Sequence, residues 1–424
     1  MIDRTLAPAF KQVENIELIK AKPYVLNNGI KTFVVSGGEQ EIIQIEFIFN
    51  NVNWNEQMPL QTFATNTLLN DGTSKLSSSE IAEKIDYCGA FLKTDYGYDQ
   101  STITLFTLTK HLESTLPIVK DILTDSVFPE TELQTFVRNQ KQKLSVSLEK
   151  NDFLSRRIFN KILFGDTLYG HDTQASDYDN LNQSQLKAYF KQAYQPQNCT
   201  IIVAGKVDEA IISLVDKHFG YNWANSTSIL ANKLSFSPTP GGLHYHEKED
   251  ALQSAIRIGQ VSVNRSHADF VGLQVLNTIF GGYFGSRLMA NIREDKGYTY
   301  GIGSALVSFK DTGCFFIASE VGVDVCEATI TEIQKELTLL QQELVSEDEL
   351  ALVRNYMLGS VLGSLENTLS HAEKFKNIYF FGLGYDYYDR YLKTVRTINS
   401  EEILRLANQY LRFETFEQVI VGKK

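Results

Sequence analysis

The chain has 424 residues, of which 43% are hydrophobic and 21% are charged, and its formal net charge is −11. This composition is typical of a globular protein, excludes a disordered or fibrous chain, and at this length favours two or more domains. The acidic balance without a dense Lys/Arg run argues against nucleic-acid binding, and the longest apolar stretches fall far short of the roughly 20 residues that span a bilayer.

The N-terminal segment 1–18 lacks the basic head, apolar core and small-residue cleavage site of a secretory signal. We therefore expect a cytoplasmic protein. The four cysteines show no Cys-x-x-Cys spacing, and a chain of this size does not need disulfides. We expect reduced, mostly buried thiols at Cys88, Cys199, Cys314 and Cys326.

The sequence of the first half predicts a mixture of strands and helices. The Asn-Asn-Gly turn within 24–35 predicts a hairpin, and the apolar run 42–49 predicts a buried strand. Spacings of three and four residues between Leu60, Phe63 and Thr67, with Leu68 next to the last of them, predict a helix. The elements that follow are a strand at 101–108, helices at 112–123 and 130–149, a helix ending near 194 and a strand at 199–205.

The second half repeats this order, which indicates an internal duplication. Each copy closes with an apolar strand and a Gly-Lys pair, at Gly205 and at Gly422. Strands clustered with pairs of helices, rather than strict alternation, favour an α+β sandwich in each half. The repeated elements are strands at 242–246 and 254–260, a helix at 270–279, a strand at 312–318, helices at 325–340 and 346–365, and a strand at 416–422.

A polar, proline-punctuated stretch separates the two halves and is typical of an inter-domain linker. We therefore expect an N-terminal domain at 1–224, a linker at 225–240 and a C-terminal domain at 241–424.

The stretch 280–304 carries the most specific motif: a glycine pair, Ser-Arg-Leu at 286–288, and then Arg293 and Tyr300 seven positions apart. It resembles the C-terminal-domain signature of the insulinase-like (M16) zinc peptidases, which include insulin-degrading and mitochondrial processing enzymes. Weaker matches at 26–30, 69–73 and 194–198 extend the likeness over nearly the whole chain. The resemblance implies two homologous, processing-peptidase-like α+β sandwich domains joined by the linker.

A zinc peptidase needs three protein ligands and a carboxylate that accepts a proton from the metal-bound water. M16 enzymes carry His-x-x-Glu-His on one helix and a Glu ligand on a later helix. Aligning the family pattern on 69–73 places the histidines at Phe63 and Thr67, the general base at Asn66 and the later ligand at Ser145. None of these side chains can perform its role, and only Glu149 is acidic near the last position. We expect no metal in this chain.

Other sites find little support in the sequence. His244 and His246 share one face of a predicted strand but have no third ligand nearby, and the remaining histidines stand alone. The glycines of 281–285 lack the Lys-Ser/Thr of a phosphate loop, and no Gly-x-Ser-x-Gly elbow occurs.

Arg293 lies near the end of a helix predicted over 286–294 and closed by Gly297, where a cation can simply cap free carbonyls. Tyr298 and Tyr300 alternate at the start of a predicted strand, so we expect both rings on one side, where core packing would also explain them. The resemblance implies more: Arg293 and Tyr300 match a pair that contacts the scissile peptide, and Tyr298 offers a second phenol beside it.

The resemblance therefore implies a non-catalytic, metal-free subunit of a two-subunit metalloendopeptidase. The partner in the heterodimer would be an M16 chain carrying His-x-x-Glu-His and the zinc, and the substrate would be an unfolded peptide or presequence bound by strand addition. Two alternatives stay open: a structural or peptide-binding homologue without a role in proteolysis, and an enzyme of unfamiliar chemistry.

Overall fold

The computed structural model describes residues 16–225, 228–232, 234–237 and 239–423. The first 15 residues, which contain most of the segment assessed for a secretory signal, lie outside the described residues. So do residues 226, 227, 233 and 238 of the expected linker. Among the described residues, no helix is long and apolar enough to cross a membrane.

The described residues of the first half form one sheet and eight α-helices. Its strands are β1 (Lys22–Val25), β2 (Lys31–Ser36), β3 (Ile42–Asn50), β4 (Phe91–Tyr96), β5 (Gln100–Leu108) and β6 (Cys199–Gly205). Its helices are α1 (Gln61–Thr67), α2 (Ser78–Tyr87), α3 (Leu112–Asp125), α4 (Glu130–Leu148), α5 (Asn151–Phe164), α6 (Ala175–Asp179), α7 (Gln183–Ala193) and α8 (Glu209–Phe219). The strand order is β1-β2-β6-β3-β5-β4.

In the part of the second half that the structure describes, there are one further sheet and six α-helices. Its strands are β7 (Gly242–Glu247), β8 (Gln253–Ser262), β9 (Ile302–Ser308), β10 (Gly313–Gly322) and β11 (Glu417–Gly422). Its helices are α9 (Phe270–Asn277), α10 (Cys326–Gln342), α11 (Glu347–Gly363), α12 (Thr368–Tyr379), α13 (Asp386–Thr397) and α14 (Ser400–Tyr410). Two π-helical segments, Thr278–Gly282 and Met289–Asp295, precede β9. The strand order is β7-β11-β8-β10-β9.

The two sheets share one topology, which confirms the predicted α+β fold with two similar halves. In each, the last strand lies between two earlier strands and pairs in parallel with the first of them and antiparallel with the second: β6 lies between β2 and β3, and β11 between β7 and β8. The first sheet has β1 as an additional edge strand. β6 is buried along its whole length because it has a neighbour on both sides and helices over it, which explains its unbroken apolar sequence.

Local chemistry sets the boundaries of several elements. The hairpin between β1 and β2 turns at Gly29, whose φ of +90° is open to glycine without strain. At the end of β6, Gly205 has a φ of +130°, and a Cβ there would lie 2.2 Å from the carbonyl oxygen of Ile42. Glycine is therefore required at this position for β6 to sit beside β3.

Each sheet is covered by a helix from the opposite half of the chain. Helix α5 packs on β8 and β11 of the second sheet, where the ring of Phe159 meets that of Phe316 at 6.5 Å. Helix α12 packs on β2 and β6 of the first sheet, where the ring of Phe375 lies 4.7 Å from that of Phe33. The halves thus exchange helices across their boundary.

Polar contacts reinforce the docking of α12. The Lys376 ammonium bonds to the buried Glu46 carboxylate of β3 at 2.7 Å. Burial raises the pKa of Glu46, although Lys376 opposes that shift. His371 accepts a hydrogen bond from the backbone N–H of Ile19 at 3.2 Å through Nδ1, and burial lowers the pKa of this imidazole. Loss of the Lys376 side chain alone would therefore leave a buried carboxylate without its cation.

Phe375→Ala is expected to lower the free energy of unfolding by about 3–5 kcal/mol, because it opens a cavity between α12 and the first sheet. Urea unfolding followed by tryptophan fluorescence checks this, since Trp54 and Trp223 both lie in the first half. Leu352→Ala on the exposed face of α11 is the matched control and should change stability little. An equally small effect of Phe375→Ala would mean that α12 merely rests on the sheet.

Candidate functional site

The position expected for the first zinc histidine lies inside an aromatic cluster. Phe63 of α1 has its ring centroid 5.4 Å from that of Tyr96 in β4 and 5.6 Å from that of Phe136 in α4. Sequence reasoning did not identify Phe136 as a neighbour of Phe63. The only available signal was that Phe136 is an apolar residue on a predicted helix. The space beside α1 is thus filled by packed rings.

The side chain at the expected general-base position also makes contacts inside the protein. Asn66 is 1% exposed, and its Oδ1 accepts a hydrogen bond from the buried Tyr194 hydroxyl at 3.0 Å. Burial raises the pKa of Tyr194 well above its ordinary value, which keeps the phenol protonated as a donor. Thr67 donates its hydroxyl hydrogen bond to the Phe63 carbonyl one turn back, at 2.8 Å. None of these groups is arranged to receive a cation.

Ser145 stands apart from these positions. It is exposed near the end of α4, about 13 Å along the helix axis from Phe136, at roughly 1.5 Å per residue. Among the described residues, no group of three or more His, Cys, Asp or Glu side chains is arranged to hold a metal ion. The hydroxyl, amide and phenyl groups at the expected ligand positions do not fit zinc, which prefers imidazole, thiolate and carboxylate.

One of the two neighbouring histidines, His244, has a structural explanation. His244 lies on the edge strand β7, and its Nε2 is 2.7 Å from the carboxylate of the buried Glu417 in β11. This contact between paired strands supports packing of the sheet edge rather than a metal site.

Much of the signature stretch supports the fold. A Cβ on Gly281 would lie 2.6 Å from Oγ and 2.7 Å from the backbone nitrogen of Ser304, so the π-helical turn can approach β9 only through a glycine. Arg287 forms a bidentate pair with Glu349 at the start of α11, at 2.8 and 2.7 Å. The glycines therefore serve close packing, which argues against the phosphate-loop interpretation.

Arg293 is held at the surface in a defined orientation. It lies in the π-helical segment Met289–Asp295, and the helix ends before Gly297, whose φ is +68°, as predicted. The guanidinium lies 4.6 Å from the ring centroid of Phe284 and 3.8 Å from the Glu294 carboxylate. Its side chain is 33% exposed, so hydrogen-bond donors stay available beside the ring.

The prediction of a strand starting at Tyr298 is wrong, because β9 begins only at Ile302. Thr299 prevents regular pairing: its hydroxyl donates to the Glu320 carbonyl of β10 at 2.7 Å and accepts from the Gly301 N–H at 3.1 Å. The resulting loop separates the two rings. Tyr298 packs partly buried against the core of the second half, whereas Tyr300 is 94% exposed.

The structure thus places the predicted residues in two groups. Phe63, Asn66 and Thr67 share α1 in the first half, while Arg293 and Tyr300 share a helix and loop in the second. Sequence reasoning missed Phe284, which is 64% exposed and supports the Arg293 guanidinium. The signal that could have identified Phe284 was the presence of an aromatic residue inside a glycine-rich turn.

Comparisons with known proteins agree with this geometry. The family model described as the peptidase M16 inactive domain matches residues 180–357. The uncharacterized zinc protease YmxG of Bacillus subtilis is 26% identical over 341 residues, which cover 80% of this chain and 82% of that protein.

Solved structures match the fold over nearly the whole chain. The peptidase M16 inactive domain from Pseudomonas fluorescens superposes with a TM-score of 0.86 at 21% identity, covering 95% of this chain and 98% of the other. A chain of Complex III2 from Candida albicans superposes with a TM-score of 0.76 at 12% identity, covering 95% of each chain. The chain is thus similar to M16 peptidase structures over nearly its whole length, and residues 180–357 match the inactive domain of that family.

Proposed function

We propose that this chain is the metal-free subunit of a two-subunit M16 metalloendopeptidase. In this proposal it supplies Arg293 and Tyr300 to a peptide held at the zinc of a partner that carries His-x-x-Glu-His. The proposal rests on the difference in solvent exposure between the two groups of residues. Asn66 is 1% exposed and bonded to Tyr194, whereas the Tyr300 ring is 94% exposed in a loop fastened by Thr299.

The chemistry of the pair suits peptide hydrolysis. A guanidinium can donate to the carbonyls of an extended peptide, and a phenol hydroxyl can donate to the oxygen that becomes negative as water adds to the scissile carbonyl. Phe284 restricts the orientations of the Arg293 guanidinium, which lowers the entropy lost when the peptide binds. Both groups would act by binding charge, so the chain needs no metal of its own.

The sheet edge next to Tyr300 supports an extended peptide as the substrate. β9 pairs with β10 on one side and is the last strand in the order of the second sheet. Its start at Ile302 lies two residues after Tyr300. A peptide added antiparallel or parallel to β9 would satisfy its open backbone groups and pass close to the phenol.

A structural role without proteolysis is the second candidate. The fold match to a chain of Complex III2 favours it, because that protein is part of a large assembly. In that case the exposed Tyr300 would contact a neighbouring subunit rather than a peptide. The two candidates differ in whether removal of the phenol hydroxyl alone affects turnover.

The triple substitution Phe63→His, Asn66→Glu and Thr67→His is expected to leave the isolated chain without zinc-dependent peptidase activity. The third ligand position is the exposed Ser145, and α1 is surrounded by the rings of Tyr96 and Phe136. Turnover of a quenched fluorescent peptide in added zinc measures this, with circular dichroism to verify folding. Robust turnover by a folded triple variant would show that the distal ligand is misplaced.

Arg293→Ala and Tyr300→Phe are each expected to lower kcat/KM of the assembled complex roughly 100-fold, because loss of one donor to a developing oxyanion costs about 2.7–4 kcal/mol. Peptide turnover by the purified heterodimer measures the effect, and size-exclusion chromatography verifies assembly.

Tyr298→Phe is the matched control, since it removes a phenol hydroxyl two residues away from a ring that packs against the core. It should leave turnover near that of the unsubstituted complex. If Arg293→Ala and Tyr300→Phe also retain full turnover, or lose it only because the subunits separate, the structural role takes precedence.

A further inference from the structure

A cavity of about 410 Å³ lies at the junction of the two halves, a size within the range of small-molecule sites. Helix α5 forms one wall, and β8, β9 and β10 of the second sheet form the other. The body of the cavity is aromatic, with the rings of Phe153, Phe164, Phe309 and Phe316 among its lining side chains.

Three arginines face this apolar space, and no Asp or Glu is among the described residues that line it. Arg257 projects from β8, its side chain is only 8% exposed, and its guanidinium lies 4.8 Å from the ring centroid of Phe316. One nitrogen of Arg257 bonds to Asp152 at 3.0 Å, but within the described chain its Nε has no hydrogen-bond partner. A buried guanidinium is thus only partly satisfied by the protein.

The two arginines of α5 extend this cationic wall. Arg157 donates to the Thr173 carbonyl at 2.7 Å and pairs with Asp172, while its Nη1 has no partner within the described residues. Arg156 is exposed, and its guanidinium lies 5.4 Å from the ring centroid of Phe153. Buried donors left without acceptors are costly, so an anion entering here would relieve an existing penalty.

We propose that this junction cavity binds a carboxylate attached to an apolar body. The arginines would donate charge-assisted hydrogen bonds to the carboxylate, and the phenylalanine rings would bury the apolar part. A second depression of about 720 Å³ adjoins the cavity and shares Phe153 and Arg156 with it. The carboxylate can belong to a free small acid or to the C-terminus of a peptide. This site is independent of the proposed role in proteolysis.

Isothermal titration calorimetry with 3-phenylpropionate, compared with 3-phenylpropionamide, tests the site on the full chain. A second arm compares a tripeptide ending in phenylalanine as the free acid and as the amide. One acid per chain should bind, and its amide should bind at least about tenfold more weakly, because charge-assisted hydrogen bonds are lost. The arm that shows this preference identifies the source of the carboxylate.

Three variants locate the binding. Arg257→Gln should weaken binding of the acid about tenfold or more, and Arg156→Gln, at an exposed position that tolerates substitution, should weaken it in the same direction. Val307→Trp should abolish binding by filling the cavity that Val307 lines. Arg390→Gln, an exposed arginine on α13, removes the same charge elsewhere and should change nothing. No binding of either acid, equal binding of acid and amide, or unchanged affinity in Arg156→Gln and Val307→Trp would overturn the proposal.

Discussion

The exchange of α5 and α12 between the two halves is the constraint on which the remaining geometry depends. Each sheet has an apolar face that its own half does not fully cover, and the missing helix comes from the other half. The Lys376–Glu46 pair and the Phe375–Phe33 contact fasten this arrangement on one side. As a result, β9 and the Tyr300 loop belong to a sheet that α5 covers, and the arginine-lined cavity lies between α5 and that sheet.

In the first half, the positions where zinc ligands were expected lie in a packed core. A carboxylate at Asn66 would be buried beside Tyr194, in surroundings where burial already raises the pKa of the phenol well above its ordinary value. Without a metal nearby, burial would also raise the pKa of that carboxylate and favour its neutral form. The amide avoids this cost while keeping the hydrogen bond. The residues at the family's zinc positions are therefore consistent with one another and with the aromatic cluster around Phe63.

Sequence patterns predicted the two α+β halves because they depend on local periodicity. The unbroken apolar run of β6, the Asn-Asn-Gly hairpin and the helix end at Gly297 all follow from preferences of neighbouring residues. The exchange of α5 and α12 could not be predicted in this way, since an amphipathic pattern indicates a buried face but not which sheet covers it.

In the candidate site, too, the sequence predicted some features and could not predict others. The resemblance to the family identified Arg293 and Tyr300, but alternation of Tyr298 and Tyr300 suggested a strand that the structure lacks. The hydrogen bond from Thr299 to the Glu320 carbonyl fixes the conformation of that loop. These two residues are too far apart in the chain for a periodic pattern to reveal their contact. The contact of Phe284 with Arg293 likewise depends on the fold of the glycine-rich turn.

In the proposed complex, the metal belongs to the partner and the exposed Arg/Tyr pair to this chain. Zinc analysis of the complex, purified from the native host through this chain, tests this division between the subunits. We expect an M16 partner carrying His-x-x-Glu-His and one zinc per heterodimer, which is lost when the partner's histidines are replaced. Stoichiometric zinc held by the first half of this chain, or a complex without any zinc-bearing M16 subunit, would contradict it.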